Sequence, residues 1–187
     1  MIVKRIIGVV GMPGSGKSVL DEVATELGFS IVVMGDVIRE ETTRRGLKPT
    51  PKNIGKVMLE IRNEEGPFVV ARQCITRIVE ARTSKAVIEG IRSFDEVKEF
   101  RRHFPAFKLL AIHASPETRL QRIFSRNRSD DGTNLKTFKE RDERELKIGI
   151  GSAVAMADHM LINEGSVEEF KAEAKRFLSC KHTHFIE

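Results

Sequence analysis

The chain has 187 residues, of which 40% are apolar and 32% charged, and its 32 Lys and Arg against 27 Asp and Glu leave a net charge of +5. That length predicts one domain with enough chain for a sizeable core, and no apolar run approaches the roughly 18 residues of a membrane span. Cys74 and Cys180 make neither a metal spacing nor a disulfide framework, and Met1 to Arg5 run directly into a strand rather than a signal peptide, so reduced thiols and a cytoplasmic protein are expected.

In chain order, Ile6 to Val10 reads as a short buried strand, and Val19 to Leu27 as a helix with apolar residues at helical spacing, closed by Gly28. Between them Gly11-Met12-Pro13-Gly14-Ser15-Gly16-Lys17-Ser18 fits G-x-x-x-x-G-K-[ST]. A strand feeding a glycine-rich loop that opens a helix makes a nest of backbone N–H groups, and the helix dipole points at the same anion. Lys17 then reaches β- and γ-phosphates and the Ser18 hydroxyl can ligate Mg²⁺, while the glycines let backbone approach without a Cβ in the way. Gly14 and Gly16 are followed by Lys17, Ser18 and Val19, so the dinucleotide fingerprint G-x-G-x-x-G is not met, which argues against a Rossmann oxidoreductase.

A second strand is predicted over Ser30 to Met34, with Asp36 as N-cap of a helix over Val37 to Arg45 that ends at Gly46. After the loop Lys48 to Pro51 come a helix from about Lys52 to Asn63 and another opened by Gly66-Pro67, with Pro67 in its first position, to about residue 82. Lys85 to Glu89 is the third strand, and the capping box Ser93-Phe94-Asp95-Glu96 starts a helix to about His103. Phe107 to His113 is the fourth strand, Ser115 to about Arg126 a helix, and Arg128 to Gly132 a polar loop. A charged helix over about 134–147 follows, then a fifth strand over Asp158 to Asn163. A second capping box, Ser166-Val167-Glu168-Glu169, opens a last helix to about Leu178. Strands alternating with helices predict a doubly wound α/β fold, a five-stranded parallel sheet covered on both faces. Ligands of such sheets bind beyond the carboxyl ends of the strands. That rule gathers Gly11 to Ser18, Asp36 and Glu89 to Arg92 at one edge, with the loop after His113.

The positive charge is concentrated: Arg119, Arg122, Arg126, Arg128, Lys136, Lys139, Arg141, Arg144 and Lys147 crowd one stretch, which suits a polyphosphate or RNA. The alternative is a solvated helix face laced with Glu140, Glu143 and Glu145. With no Trp or Tyr and with scattered Phe, a stacking platform for single-stranded nucleic acid is weakly supported.

Together with the Gly11 to Ser18 loop, three segments resemble the P-loop nucleoside monophosphate kinases, adenylate kinase above all, and the archaeal adenylate-kinase-related proteins. They are Gly35-Asp36-Val37-Ile38-Arg39, Glu89-Gly90-Ile91-Arg92 and Arg128-Ser129-Asp130-Asp131. The resemblance covers most of the chain, Thr50 to Arg82 least. It implies one P-loop NTPase domain over 1–187, with an acceptor-binding insertion over about 36–83 and a short helical lid over about 119–147. It implies ATP and Mg²⁺ as cofactors and a small nucleotide, such as AMP, as phosphoryl acceptor. By the same resemblance Arg39, Gly90 and Arg92 face the acceptor phosphate, and Arg122, Arg126 and Arg128, with Arg141, cover the donor and the transferring group. Glu89 joins Ser18 at the magnesium, through water. Phosphoryl transfer asks for such residues, because it depends on positioning and charge neutralisation, and Arg grips phosphate through a planar fork.

The family's acceptor-binding Gln has no counterpart after Arg92, where Ser93-Phe94-Asp95-Glu96 stands, so the acceptor base is open. A second resemblance is to dephospho-CoA kinases. The segment Ala157-Asp158-His159-Met160-Leu161-Ile162-Asn163-Glu164-Gly165-Ser166 is similar to their A-D-x-x-I-x-N-x-G-S, and Asp36 would then be the general base that a hydroxyl acceptor needs. A third reading is an ATPase switch or RNA-associated ATPase that uses the basic stretch. A regulatory GTPase is disfavoured, since no N-K-x-D appears. Oligomeric state is not readable from these features.

Overall fold

The computed structural model describes residues 5–81, 83–126 and 135–180. From the N-terminal side the elements are β1 (Arg5–Val10), α1 (Lys17–Glu26), β2 (Ser30–Val33), α2 (Met34–Arg44), α3 (Pro51–Glu65), α4 (Val69–Glu80) and β3 (Lys85–Ile91). Then come α5 (Phe94–His103), β4 (Lys108–His113), α6 (Pro116–Arg126), α7 (Leu135–Ile148), α8 (Ile150–Ala155), β5 (His159–Ile162) and α9 (Val167–Ser179). The strands form one parallel sheet in the order β2-β3-β1-β4-β5.

Alternation along β1 sorts the core into two layers. Ile6 and Val10 turn to the face packed by α2, α3, α4, α5 and α8, where Phe100 stacks on Phe107 at 5.6 Å between ring centroids. Ile7 and Val9 turn to the opposite face, closed by Leu20 and Val23 of α1 and by Phe170, Ala174 and Leu178 of α9. Apolar surface buried on both faces is what makes the central strands read as continuous apolar runs. No helix among the described residues is long and apolar enough to cross a membrane. Cys74 is buried, which pushes its thiol up to about 12, and Cys180 is exposed.

Three local expectations are corrected. β2 passes directly into α2, whose N-cap is Val33 without a side-chain cap; Asp36 lies in the first turn and pairs with Arg39 at 2.5 Å. An acid in that turn meets the positive helix end, so the site favours Asp without needing it as cap. α4 starts at Val69 rather than Pro67, with Phe68 as N-cap. β3 continues past Glu89 to Ile91 through a bulge: Val9 pairs with Glu89 and Val10 with Ile91, leaving Gly90 as the extra residue, at φ +95°. Only glycine takes that backbone at low cost, and the bulge re-aims the strand end where it meets the cleft. α8 was not expected from the sequence; its six residues are too few to show a period.

Both capping boxes form as predicted, at Ser93/Glu96 and Ser166/Glu169. The first does more than start a helix. Glu96 is fully buried, accepts from the Arg92 N–H at 2.8 Å and pairs with Arg62 of α3 at 2.6 Å, so it fixes the residue that leaves β3. Glu96→Ala would leave Arg62 unpaired in a low-dielectric setting and is expected to cost about 3 kcal/mol or more in chemical denaturation. A loss within about 0.5 kcal/mol, typical of surface exchanges, would contradict this role.

Candidate active site

At the carboxyl ends of β1, β2 and β3 lies a cavity of about 550 Å³, within the size range of ligand sites. Its floor is the loop after β1: Gly11, Pro13, Gly14, Gly16, Lys17 and Ser18 all line it. One wall is Gly35, Asp36 and Arg39 from α2; a second is Glu89, Gly90 and Arg92 from the end of β3. Arg122, Arg141 and Glu145 close it from α6 and α7, and Asn163, Val167 and Phe170 from the β5–α9 side. Of the residues picked from the sequence, the fold therefore brings together the glycine-rich loop, Asp36, Arg39, Glu89, Gly90, Arg92 and Arg122, as well as Arg141.

Two residues of the loop turn elsewhere. The Ser15 side chain is fully buried beneath it, and Met12 packs into the core and lines a separate, apolar groove with Leu146 and Ile150. Such intervening positions serve a phosphate loop with backbone rather than side chain. Arg126 ends α6, and its side chain, like Arg128-Ser129-Asp130-Asp131, lies outside the described residues.

The loop is shaped through its carbonyls. Lys17 Nζ donates to Gly11 O at 2.7 Å and Met12 O at 3.3 Å, Arg119 Nη1 to Pro13 O at 3.1 Å, and Asn163 Nδ2 to Ser15 O at 2.8 Å. With carbonyls engaged on the outside, the N–H groups at the start of α1 are left for an anion. Asn163 is 4% exposed, and its Oδ1 accepts from Arg122 Nη2 at 3.2 Å, while its main-chain O accepts from Arg122 Nη1 at 2.9 Å. Gly16, at φ +105°, leaves the space that the Asn163 amide fills; a Cβ there would collide with it.

Arg119 is 3% exposed, pairs with Asp142 of α7 at 2.5 Å and sits over the Phe138 ring. With Arg122 turned into the β5–α9 loop and Arg141 on the cavity, the basic stretch is not one solvated face. Glu145, expected on such a face, is 4% exposed and pairs with Arg92 at 3.0 Å. Arg39 and Arg92 thus both carry a carboxylate partner, Asp36 for the first and Glu145 for the second.

Burial pushes the Lys17 ammonium down from its ordinary range; Glu89 and Glu145 oppose that shift, and Arg92 and Arg141 add to it. On the same helix, four residues on, Asp21 lines the cavity with a buried Oδ1 that has no hydrogen-bond partner. Burial first and Glu89 second push its carboxyl up to about 7, against the pull of Lys17. Asp21, Asn163, Arg119 and Glu145 were missed as site residues. The spacing from Lys17 to Asp21 on one helix face was a usable signal for the first. For Asn163 it was the A-D-x-x-I-x-N-x-G-S segment, whereas the burial of Arg119 and Glu145 is tertiary.

Sheet order, phosphate loop and cleft define a P-loop kinase-like fold. It superposes with TM-scores of 0.66 on TT1252 from Thermus thermophilus (18% identity, 94% of this chain and 97% of that one) and 0.60 on a shikimate kinase from Acinetobacter baumannii (18% identity, 97% of each). A gluconokinase from Sinorhizobium meliloti gives 0.61 at 15% identity, covering 95% of this chain and 93% of that one. A family model described as an AAA domain matches residues 10–139. The chain is 47% identical over 176 residues to a UPF0200 protein of Hyperthermus butylicus (94% of each chain), and 43% identical over 173 residues to one of Methanothermobacter thermautotrophicus (92% of this chain, 88% of that one). It belongs to the UPF0200 family.

Asn163→Asp tests the loop anchor, since it changes one buried N–H donor to an oxygen facing the Ser15 carbonyl. Chemical denaturation is expected to show a loss of about 1–3 kcal/mol. An unchanged midpoint would mean that Asn163 does not hold the loop.

Proposed function

We propose that this protein is a Mg·ATP-dependent kinase of a small nucleotide, with a nucleoside monophosphate such as AMP as acceptor. The observation that carries it is a single cavity with the phosphate loop and Lys17 on one side and Arg39 and Arg92 on the other. Two anionic groups brought end to end need cations at both ends, and phosphoryl transfer is catalysed mainly by such positioning and charge neutralisation. In this reading the whole chain works as one kinase domain, with residues 36–83 forming the acceptor side and 119–147 the lid.

The loop N–H groups and Lys17 hold the donor's β- and γ-phosphates, and Arg122 lies over the donor side. Magnesium fits the residues present: the Ser18 hydroxyl and the Glu89 carboxylate are hard oxygen donors on the cavity, and Asp21, whose buried Oδ1 has no hydrogen-bond partner, lines the same cavity. When bound it neutralises charge on the β- and γ-phosphate oxygens. An acceptor phosphate, held by Arg39 and Arg92, presents an oxygen to Pγ in line. A bond forms from that oxygen to Pγ as the Pγ–O bond to ADP breaks, and no proton must be removed from an anionic acceptor. Arg92 leaves or shares Glu145 in doing so, and the lid arginines Arg126 and Arg128 stabilise the transferring group.

A second reading, a kinase with a hydroxyl acceptor such as dephospho-CoA, is favoured by Asp36. That carboxylate lines the cavity in the first turn of α2, where it can take the proton of an attacking hydroxyl. Labelled ATP with AMP, CMP, UMP, GMP, their deoxy forms and dephospho-CoA decides between the two. Transfer to a monophosphate is expected, and Lys17→Ala should abolish it while keeping the fold. Transfer to dephospho-CoA alone would overturn the favoured acceptor, and RNA-stimulated hydrolysis without transfer would overturn the kinase.

The arginines separate by kinetics. Arg39→Ala should raise the acceptor KM with little change in kcat, because it removes a contact equal in ground and transition states. Arg128→Ala should lower kcat by about 10²-fold or more. Wild-type kinetics for the first, or a change only in acceptor KM for the second, would reverse the assignment.

A further inference from the structure

We infer that Asp21 belongs to the cation shell of the bound nucleotide, adding a carboxylate from the first helix to the Ser18 and Glu89 pair. The inference rests on the nucleotide reading above and goes beyond it by assigning a residue outside the phosphate-loop motif.

Four observations converge on this residue. Asp21 stands one turn after Lys17 and three residues after Ser18, which puts the three side chains on one face of α1. It lines the same cavity as Ser18 and Glu89. The other cavity carboxylates on the acceptor side have guanidinium partners, Asp36 with Arg39 and Glu145 with Arg92. Asp21 Oδ1 is instead out of solvent with no hydrogen bond. A buried carboxylate oxygen without a donor is costly, and a chain keeps one where a ligand satisfies it.

Lys17 is the competing cation on the same helix, but its ammonium already donates to the carbonyls of Gly11 and Met12. A hard divalent cation suits the position better. Among the described residues no group of three or more His, Cys, Asp or Glu could hold a metal ion without help. Mg²⁺ is ordinarily bound through one or two carboxylates, with phosphates and waters completing six oxygens. Asp21 and Glu89 supply that number, so the cation enters with the nucleotide and contacts them directly or through its waters.

The test is calorimetric titration of ADP into wild-type protein and Asp21→Asn, each with EDTA and with Mn²⁺, alongside the Mn²⁺ EPR signal of the ternary complex. In Asp21→Asn the gain in ADP affinity given by Mn²⁺ should fall about 10- to 100-fold, the range for losing an outer-sphere metal partner. Metal-free ADP binding should stay equal or tighten, since a negative charge leaves the phosphate site. Asp21→Glu should restore part of the gain, and Asp21→Ser, smaller and uncharged, repeats the measurement if the Asn variant does not fold. Equal loss with and without Mn²⁺ would make Asp21 a structural or Lys17-orienting residue and overturn the inference. So would an unchanged Mn²⁺ gain in Asp21→Asn beside a wild type that binds ADP normally, and that result leaves the nucleotide reading standing. A folded wild type that binds ADP under neither condition would overturn both.

Discussion

The structure depends on how a glycine-rich loop is held in one shape. Glycine stands at Gly11, Gly14 and Gly16, and around those points the loop takes its geometry from donors aimed at its carbonyls rather than from side-chain packing. Two of these donors come from distant parts of the chain, Arg119 on α6 reaching Pro13 and Asn163 after β5 reaching Ser15, while Lys17 reaches back to Gly11 and Met12 from the start of α1. The two distant donors are positioned by the sheet, because the segments after β4 and β5 lie on the same side of β1 in this strand order. A buried backbone carbonyl without a partner is costly, so sheet order and loop shape reinforce each other. Preorganised N–H groups are what an anion then meets, without reorganisation when it binds.

The opposite side of the cleft is organised by charge. Arg92 leaves β3 just after the Gly90 bulge, with its N–H held by Glu96 and its guanidinium by Glu145. Arg39 is paired with Asp36 within its own helix. Arg92 is thereby held on the cavity by a buried acid, whereas the Arg39–Asp36 pair is half exposed. In the proposed reading an incoming phosphate exchanges one anionic partner for another, so the net gain lies in the geometry of transfer rather than in tight holding of the acceptor.

Much of this was legible in the sequence, because the signals were local. The phosphate loop, the five strands and both capping boxes follow from residue types at fixed spacing, and the carboxyl-edge rule gathers Gly11 to Ser18, Asp36, Glu89 and Arg92 into one place. What escaped depends on burial. Glu145 and Arg119 look like members of an exposed charged helix until α7 packs against the cleft, and Asp21 looks like an ordinary surface acid on an amphipathic helix. The bulge at Gly90 was invisible for another reason. It is a register event between β1 and β3, and a single strand's pattern does not encode its partner's register.

The central claim is that one cleft seats two nucleotides head to head across the transferring phosphate. The most direct measurement is calorimetric binding of a compound with two adenosines joined by a five-phosphate bridge, compared with ATP, in the presence of Mg²⁺. A bisubstrate ligand that fills both halves should bind at least about 10²-fold more tightly than ATP, as ligands resembling the transition-state assembly do. Binding no tighter than ATP, in a protein that does bind ATP, would contradict a site built for an adenosine phosphate at both ends.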